Sequence, residues 1–175
     1  MAPVSAMAAM ISGELGITGD LTDFQASDFN PGGSITITSG SSFVQRAEGT
    51  FADVGIAAPE AVTFTSPLLF NTTPQLFFTI GTANTSFTIT EFLTFDDTPS
   101  NVGFTAFGYF LMDGFEQTDG FVSFSTEVGE NNEDLVARAT FSVNAQVPLP
   151  AGVLLMGTAL AGFGVMRRKA KKAAA

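Results

Sequence analysis

The chain has 175 residues, enough for one domain and a tail, and it contains neither cysteine nor histidine. Disulfides, thiolate metal sites and histidine-dependent catalysis are therefore excluded. All 17 acidic residues lie within residues 1–146, together with two of the seven cations, Arg46 and Arg138. This part of the chain therefore has a formal charge of −15 (2 cations against 17 acids) and is expected to repel nucleic acid.

The N-terminal segment MAPVSAMAAM is apolar, but it has no basic start and is too short for a complete secretory signal. It contains Ala6-Met7-Ala8, which matches the A-x-A pattern of a signal cleavage site. We therefore expect residues 1–10 to be either the end of a signal peptide whose true start lies upstream, or a disordered N-terminus.

Residues 11–146 have the composition of an all-β domain, rich in Phe, Thr, Val and Ile and punctuated by Gly, Asn, Asp and Pro. The segments SITITS, SFTITEFL and DLVARATFSV alternate apolar and polar residues, which predicts half-buried strands. The residues expected to face inward are Ile35, Ile37, Phe87, Ile89, Leu135, Ala137, Ala139, Phe141 and Val143.

The segment VGFTAFGYFL is apolar on both faces and predicts a central strand. Asp-Gly pairs at 113–114 and 119–120 predict turns on either side of a short link. About nine strands are expected, with 18 of the 19 phenylalanines available to fill the interior. This pattern predicts an antiparallel β-sandwich or jelly roll, with no helix before residue 150.

Carboxylates are the only plausible catalytic groups in this domain. Asp113, Glu116 and Asp119 are close in sequence, and a pair of carboxylates can hydrolyse a glycosidic bond. We expect them instead to be solvated turn residues, and no G-x-S-x-G motif or phosphate-binding glycine loop is present. The prediction is a protein that is not an enzyme.

Two acidic segments offer the oxygen ligands that Ca²⁺ prefers. Their residues are Asp96, Asp97, Glu130, Glu133 and Asp134. Neither segment follows the EF-hand spacing, so solvated loops are the preferred interpretation and no cofactor is expected, with calcium as the alternative. Asn71 and Asn84 begin glycosylation-type sequons, and the polar faces could bear glycans or lie against polysaccharide.

The C-terminal segment changes in character, because residues 151–166 contain no charge and five cations follow. As a helix these 16 residues span about 24 Å, slightly less than the ~30 Å hydrocarbon core, and snorkelling cations with local bilayer thinning would make up the difference. The cations, Arg167, Arg168, Lys169, Lys171 and Lys172, predict a cytoplasmic C-terminus. A single transmembrane helix over 151–166 is expected, with a basic tail over 167–175 and the acidic domain outside the inner membrane.

The residues Val147-Pro148-Leu149-Pro150-Ala151 directly precede this apolar segment and its Arg-rich end. The three parts, in this order over residues 147–172, resemble the VPLPA variant of the PEP-CTERM class of C-terminal sorting signals, found in Gram-negative bacteria. The resemblance implies export, transient anchoring in the membrane lipid, processing by an exosortase-type membrane enzyme, and delivery to the cell surface or outside the cell.

These features lead to one hypothesis and three alternatives. The leading hypothesis is a non-catalytic exported protein with a structural or adhesive role among exopolysaccharide or in a biofilm. The alternatives are a calcium- or glycan-binding surface module, a small hydrolase that uses carboxylates, and a single-span protein anchored permanently through residues 151–166.

Overall fold

The computed structural model describes residues 8–22, 26–38, 40–97, 101–127 and 137–145. The strands in these ranges are β1 (Ala9–Met10), β2 (Gly13–Thr22), β3 (Ser34–Ile37), β4 (Phe43–Ala47), β5 (Val62–Phe64), β6 (Leu68–Leu69), β7 (Gln75–Ile80), β8 (Thr85–Asp97), β9 (Asn101–Leu111), β10 (Phe115–Glu116), β11 (Thr118–Glu127) and β12 (Ala137–Ala145). A four-residue helix, α1, spans Thr50–Asp53, and 3-10 turns span Ala26–Asp28 and Thr82–Asn84.

Ten strands form one antiparallel sheet in the order β5-β7-β8-β9-β11-β12-β2-β3-β6, and β4 pairs with β2 beside β3. The sheet curls into a half-barrel, and its β4 and β5 sides meet through two backbone hydrogen bonds. Val44 N–H donates to the carbonyl of Glu60 (2.8 Å), and Val62 N–H donates to that of Ser42 (3.0 Å). The strands β1 and β10 form a separate parallel pair.

The all-β antiparallel class is confirmed, but the strands do not separate into the two packed sheets expected of a sandwich. Their hydrogen bonding is continuous across the described residues, so opposite sides of one curled sheet face each other across the core. Curling is favoured by irregularities in β8, where the register with β9 shifts between Ile89 and Glu91 and again between Phe92 and Thr94. Such bulges bend a strand and increase its twist.

Phenylalanine rings fill the inside of the curled sheet. The rings of Phe29 and Phe124 stack with 5.6 Å between their centroids, and those of Phe51 and Phe110 are 5.0 Å apart. Phe29 precedes β3 and Phe51 belongs to α1, so segments outside the sheet supply part of the core. The expectation of no helix before residue 150 was therefore wrong, since α1 forms where Phe51 can enter the interior.

The predicted inward residues Ile35, Ile37, Phe87 and Ile89 are all buried, which confirms the alternation in β3 and in the first half of β8. The predicted central strand is confirmed as β9, which lies between β8 and β11. The strand predicted near the end of the domain is confirmed over Ala137–Ala145. Leu135, and the side chains of the residues predicted to face inward in that strand, lie outside what the structure describes.

The turn predicted at 113–114 is confirmed, with Phe115 N–H donating to the Met112 carbonyl (3.1 Å) and Gly114 at a φ of 84°. The turn predicted at 119–120 was wrong, because both residues lie within β11. A Cβ on Gly120 would lie 2.8 Å from a carbon of the Phe110 ring. The glycine therefore provides space for an aromatic ring, and it does not mark a turn.

Several predictions concern residues outside the described ranges. They include Ala6, the whole predicted sorting signal and the predicted transmembrane helix. Ala8 is described, is exposed and directly precedes β1. Within the described ranges, no helix has the length and apolar character needed to cross a membrane.

Candidate functional site

The outer face of β9 presents a row of large apolar side chains. Side chains alternate along this strand, with Ala106, Gly108 and Phe110 buried and Phe107, Tyr109 and Leu111 turned outward. Phe107 is 40% exposed and Leu111 is 45% exposed, while Tyr109 is half-buried. Residues two apart on a strand are about 7 Å apart, so the row extends over about 14 Å along the sheet surface.

The neighbouring strand β11 extends this row sideways. Phe121 lies directly opposite Phe107, and Asp119 lies directly opposite Tyr109. Phe121 is half-buried and Asp119 is exposed, whereas their neighbours on β11 are buried. Directly opposed side chains in an antiparallel pair are about 4.5–5.5 Å apart at Cβ. The two phenylalanines are therefore cross-strand neighbours on the outside of the sheet, with a carboxylate beside the tyrosine.

On the other side of β9, the strand β8 contributes hydrogen-bonding groups. Thr88 is opposite Tyr109, and Glu91 is opposite Phe107. Thr90, within the bulge, donates from Oγ1 to the Phe107 carbonyl at 3.4 Å. We refer to Phe107, Tyr109 and Phe121, with the flanking Thr88, Glu91 and Asp119, as the aromatic face. It consists of rings bordered by a hydroxyl and a carboxylate on the β8 side and by a carboxylate on the β11 side.

The three rings of the aromatic face are not part of the aromatic network in the core. Within the described ranges the buried phenylalanines contact one another, as in the Phe87–Phe110 pair at 4.8 Å, but Phe107, Tyr109 and Phe121 make no ring contact. Aromatic side chains bury 150–250 Å² each when covered, so rings left on a surface offer contact area to a partner.

The charge around the aromatic face is negative. Glu91 and Asp119 border it, and Arg46 is the one cation whose side chain is described. Arg46 lies on β4 and is paired with Glu14 (3.3 Å) and Glu48 (3.1 Å). Among the described side chains, no cation is therefore available to neutralise an anionic ligand at this face.

The three candidate catalytic carboxylates lie on different elements. Asp113 is in the turn after β9 and accepts a hydrogen bond from the amide of Asn84 (2.5 Å). Glu116 is in β10, opposite Met10, and Asp119 projects from β11 beside Tyr109. The amide of Asn84 is thus used to fix the turn, and Asn71 accepts from the hydroxyl of Thr72 (3.2 Å).

The calcium candidates are only partly covered by the structure. Asp96 is exposed near the end of β8, opposite Gly103, and Asp97 follows it opposite Val102. Glu130, Glu133 and Asp134 lie outside the described ranges. In the part of the chain that is described, no three acidic residues are grouped as metal ligands.

Sequence reasoning did not identify the aromatic face. The two-sided apolar pattern of VGFTAFGYFL was interpreted only as a central strand, and it did not predict that Phe107 and Leu111 on the outer face of β9 would be exposed. The signal was present in the regular spacing of Phe107, Tyr109 and Leu111, but only the strand order shows that no second layer among the described residues covers them.

Comparison of the chain with protein-family models, with curated proteins and with solved structures finds no match.

Proposed function

We propose that the chain is an exported, non-catalytic protein of the Gram-negative cell surface or extracellular matrix. It is sorted through a C-terminal signal that an exosortase-type enzyme processes, and it has a structural or adhesive role among exopolysaccharide. The observation that supports this most directly is the order of three parts in residues 147–172: the Val147–Ala151 motif, an uncharged segment and a cluster of cations.

The described domain is compatible with this role. Its core is built from phenylalanines without disulfides, and its acidic, hydroxyl-bearing surface favours solubility outside the cell. In support of a non-catalytic role, Asp113 accepts a hydrogen bond from the amide of Asn84, which holds this carboxylate in a turn. A paired-carboxylate mechanism requires two such groups on opposite sides of one bond.

The test is the intact mass of the mature protein recovered from its native cells. Loss of the residues beyond the 147–151 region, with the domain found at the surface or in the medium, is the expected result. A chain that ends at Ala175 in the membrane fraction would contradict the sorting proposal and support permanent anchoring instead.

Variants in the 147–151 motif test whether this motif is required for processing. Pro148→Ala combined with Pro150→Ala should leave the tail uncleaved and the protein in the membrane fraction. The matched control is Pro31→Ala, at an exposed turn residue of the domain, which should be processed as the unchanged protein is. Normal processing of the motif variant would show that these prolines are not part of a recognised signal.

A further inference from the structure

We propose that the aromatic face binds a neutral polysaccharide. This inference rests on the proposed function, because it names the class of polymer that an exported adhesive domain would contact. The site comprises the rings of Phe107, Tyr109 and Phe121, with Thr88, Glu91 and Asp119 at its borders.

The arrangement of groups fits the chemistry of a sugar. A pyranose ring presents C–H groups on its faces and hydroxyl groups around its edge. The exposed aromatic rings offer apolar contact to the C–H faces of the sugar. The carboxylates of Glu91 and Asp119 and the hydroxyl of Thr88, which flank the rings, accept hydrogen bonds from its hydroxyl groups. In ligand-binding sites, a few polar groups beside an apolar surface fix the orientation of the bound ligand.

The length of the row favours a polymer over a single sugar. The outward side chains of β9, from Phe107 through Tyr109 to Leu111, extend over about 14 Å along the strand, and Phe121, opposite Phe107, widens the row across it. Several consecutive units of a chain can therefore contact the face at once. Many weak contacts on one strand of polymer add to a useful affinity.

Charge decides between the possible occupants. The segment before the tail has 17 acids against two cations, and the face itself is bordered by Glu91 and Asp119. An acidic polysaccharide, an anionic lipid surface or a second copy of this domain would each bring negative charge to a negative face, which is unfavourable. A neutral polymer meets no such repulsion.

An exposed apolar side chain away from the aromatic face lies on β6, at one end of the strand order. Leu69 on β6 is 39% exposed, close to the value for Phe107, but its partner across the strand pair is Ser34. Leu69 therefore provides a matched control, since its truncation removes a similarly exposed apolar side chain outside the aromatic face.

The experiment is affinity electrophoresis of the full chain through native gels that contain hydroxyethylcellulose, galactomannan or dextran, with alginate as the anionic polymer. A polyoxyethylene detergent is used, because a detergent with a sugar headgroup would compete for the face. We expect at least one neutral polymer to slow migration and alginate to have no effect. Tyr109→Ala and Phe107→Ala should each weaken the interaction about tenfold, whereas Leu69→Ala should change it little.

Four results would overturn the proposal: no retardation by any of the three neutral polymers, equal retardation by alginate, unchanged binding in both alanine variants, or sedimentation showing a dimer that Phe107→Ala dissociates. Far-UV circular dichroism checks the fold of each variant. If Tyr109→Ala does not fold, Phe107→Ala at its more exposed position provides the same test. The outcome is independent of the C-terminal mass measurement, so failure of this inference and failure of the sorting proposal can be told apart.

Discussion

Gly108 of β9 and Gly120 of β11 lie directly opposite each other, and aromatic rings occupy the space into which their side chains would project. A Cβ on Gly108 would be 2.7 Å from Cζ of Phe87, and one on Gly120 would be 2.8 Å from Cε2 of Phe110. These two rings are themselves 4.8 Å apart. The pair of glycines thus lets the aromatic core pack directly against the backbone of the central strands.

Gly108→Ala should destabilise the domain. The new methyl group would also lie 2.1 Å from the carbonyl oxygen of Thr88, so the backbone of β8 must move as well as the ring of Phe87. Overpacking of this kind costs about 1–3 kcal/mol of unfolding free energy, or more. Urea unfolding followed by far-UV circular dichroism measures it, because the chain has no tryptophan to serve as a fluorescent probe.

Gly16→Ala is the matched control for that substitution. Gly16 is also a strand glycine, but its Cβ would meet Cβ of Arg46 at an ordinary 3.5 Å. We expect no loss of stability, and a gain of up to about 0.5–1 kcal/mol from the reduced freedom of the unfolded chain. Equal destabilisation by both variants would show that crowding by Phe87 is not the cause.

Phe51→Ala should be among the most damaging substitutions in the described domain. Phe51 is fully buried and its ring contacts that of Phe110, so truncation leaves a cavity where α1 meets the sheet. The expected loss is about 3–5 kcal/mol. Phe107→Ala, which removes the same side chain from the exposed outer face, should cost less than about 1 kcal/mol in the same urea titration. Similar losses for both would contradict the assignment of Phe51 to the core.

Thr118→Val should separate the contribution of a hydroxyl group from that of packing. Oγ1 of Thr118 accepts a hydrogen bond from Ile11 N–H (2.9 Å) and donates one to the Glu116 carbonyl (3.0 Å). Valine would leave the buried Ile11 N–H without its partner, at a cost of about 1–3 kcal/mol. Thr118→Ser retains the hydroxyl and should recover most of this loss. A serine variant as unstable as the valine variant would show that the methyl group is what matters.

Thr126→Val, unlike Thr118→Val, should not lower the free energy of unfolding. Thr126 is also buried, but its Oγ1 has no hydrogen-bond partner among the described residues, so the folded state bears the cost of removing that hydroxyl from water. Replacement by a side chain of the same shape should leave stability unchanged or raise it by up to about 1 kcal/mol. A clear loss of stability in thermal and urea unfolding would indicate that the hydroxyl is hydrogen-bonded in solution.

Predictions of which side chains face the core succeeded where the alternation within a single strand is regular. Ile35 and Ile37 were assigned inward from their spacing alone, and both are buried, because successive side chains of a strand point to opposite faces. The same rule fails in the second half of β8. Phe92 and Phe95 are three residues apart, yet both contact the ring of Phe70, at 5.3 and 5.0 Å. The bulge between Phe92 and Thr94 places both rings on the same face of the sheet. The alternation of apolar and polar residues in the sequence does not predict this bulge.

The functional features also differ in whether the sequence alone could predict them. The proposed C-terminal sorting signal could be predicted from residues 147–172 alone, because a signal of this kind is a linear motif defined by the order and composition of its parts. The aromatic face could not be predicted in this way, since Phe107 and Phe121 are 14 positions apart in the chain and become neighbours only through the register of β9 with β11.

The sequence by itself determined the all-β class, the inward faces of its regular strands and the acidic charge, because composition and a two-residue period follow directly from the order of residues. Only the tertiary structure decided that the strands form one curled sheet, that Phe51 enters the core from a helix, and that Gly120 lies within a strand. These features depend on bulges, twist and contacts between residues distant in the chain, and such long-range terms are not encoded in any single segment.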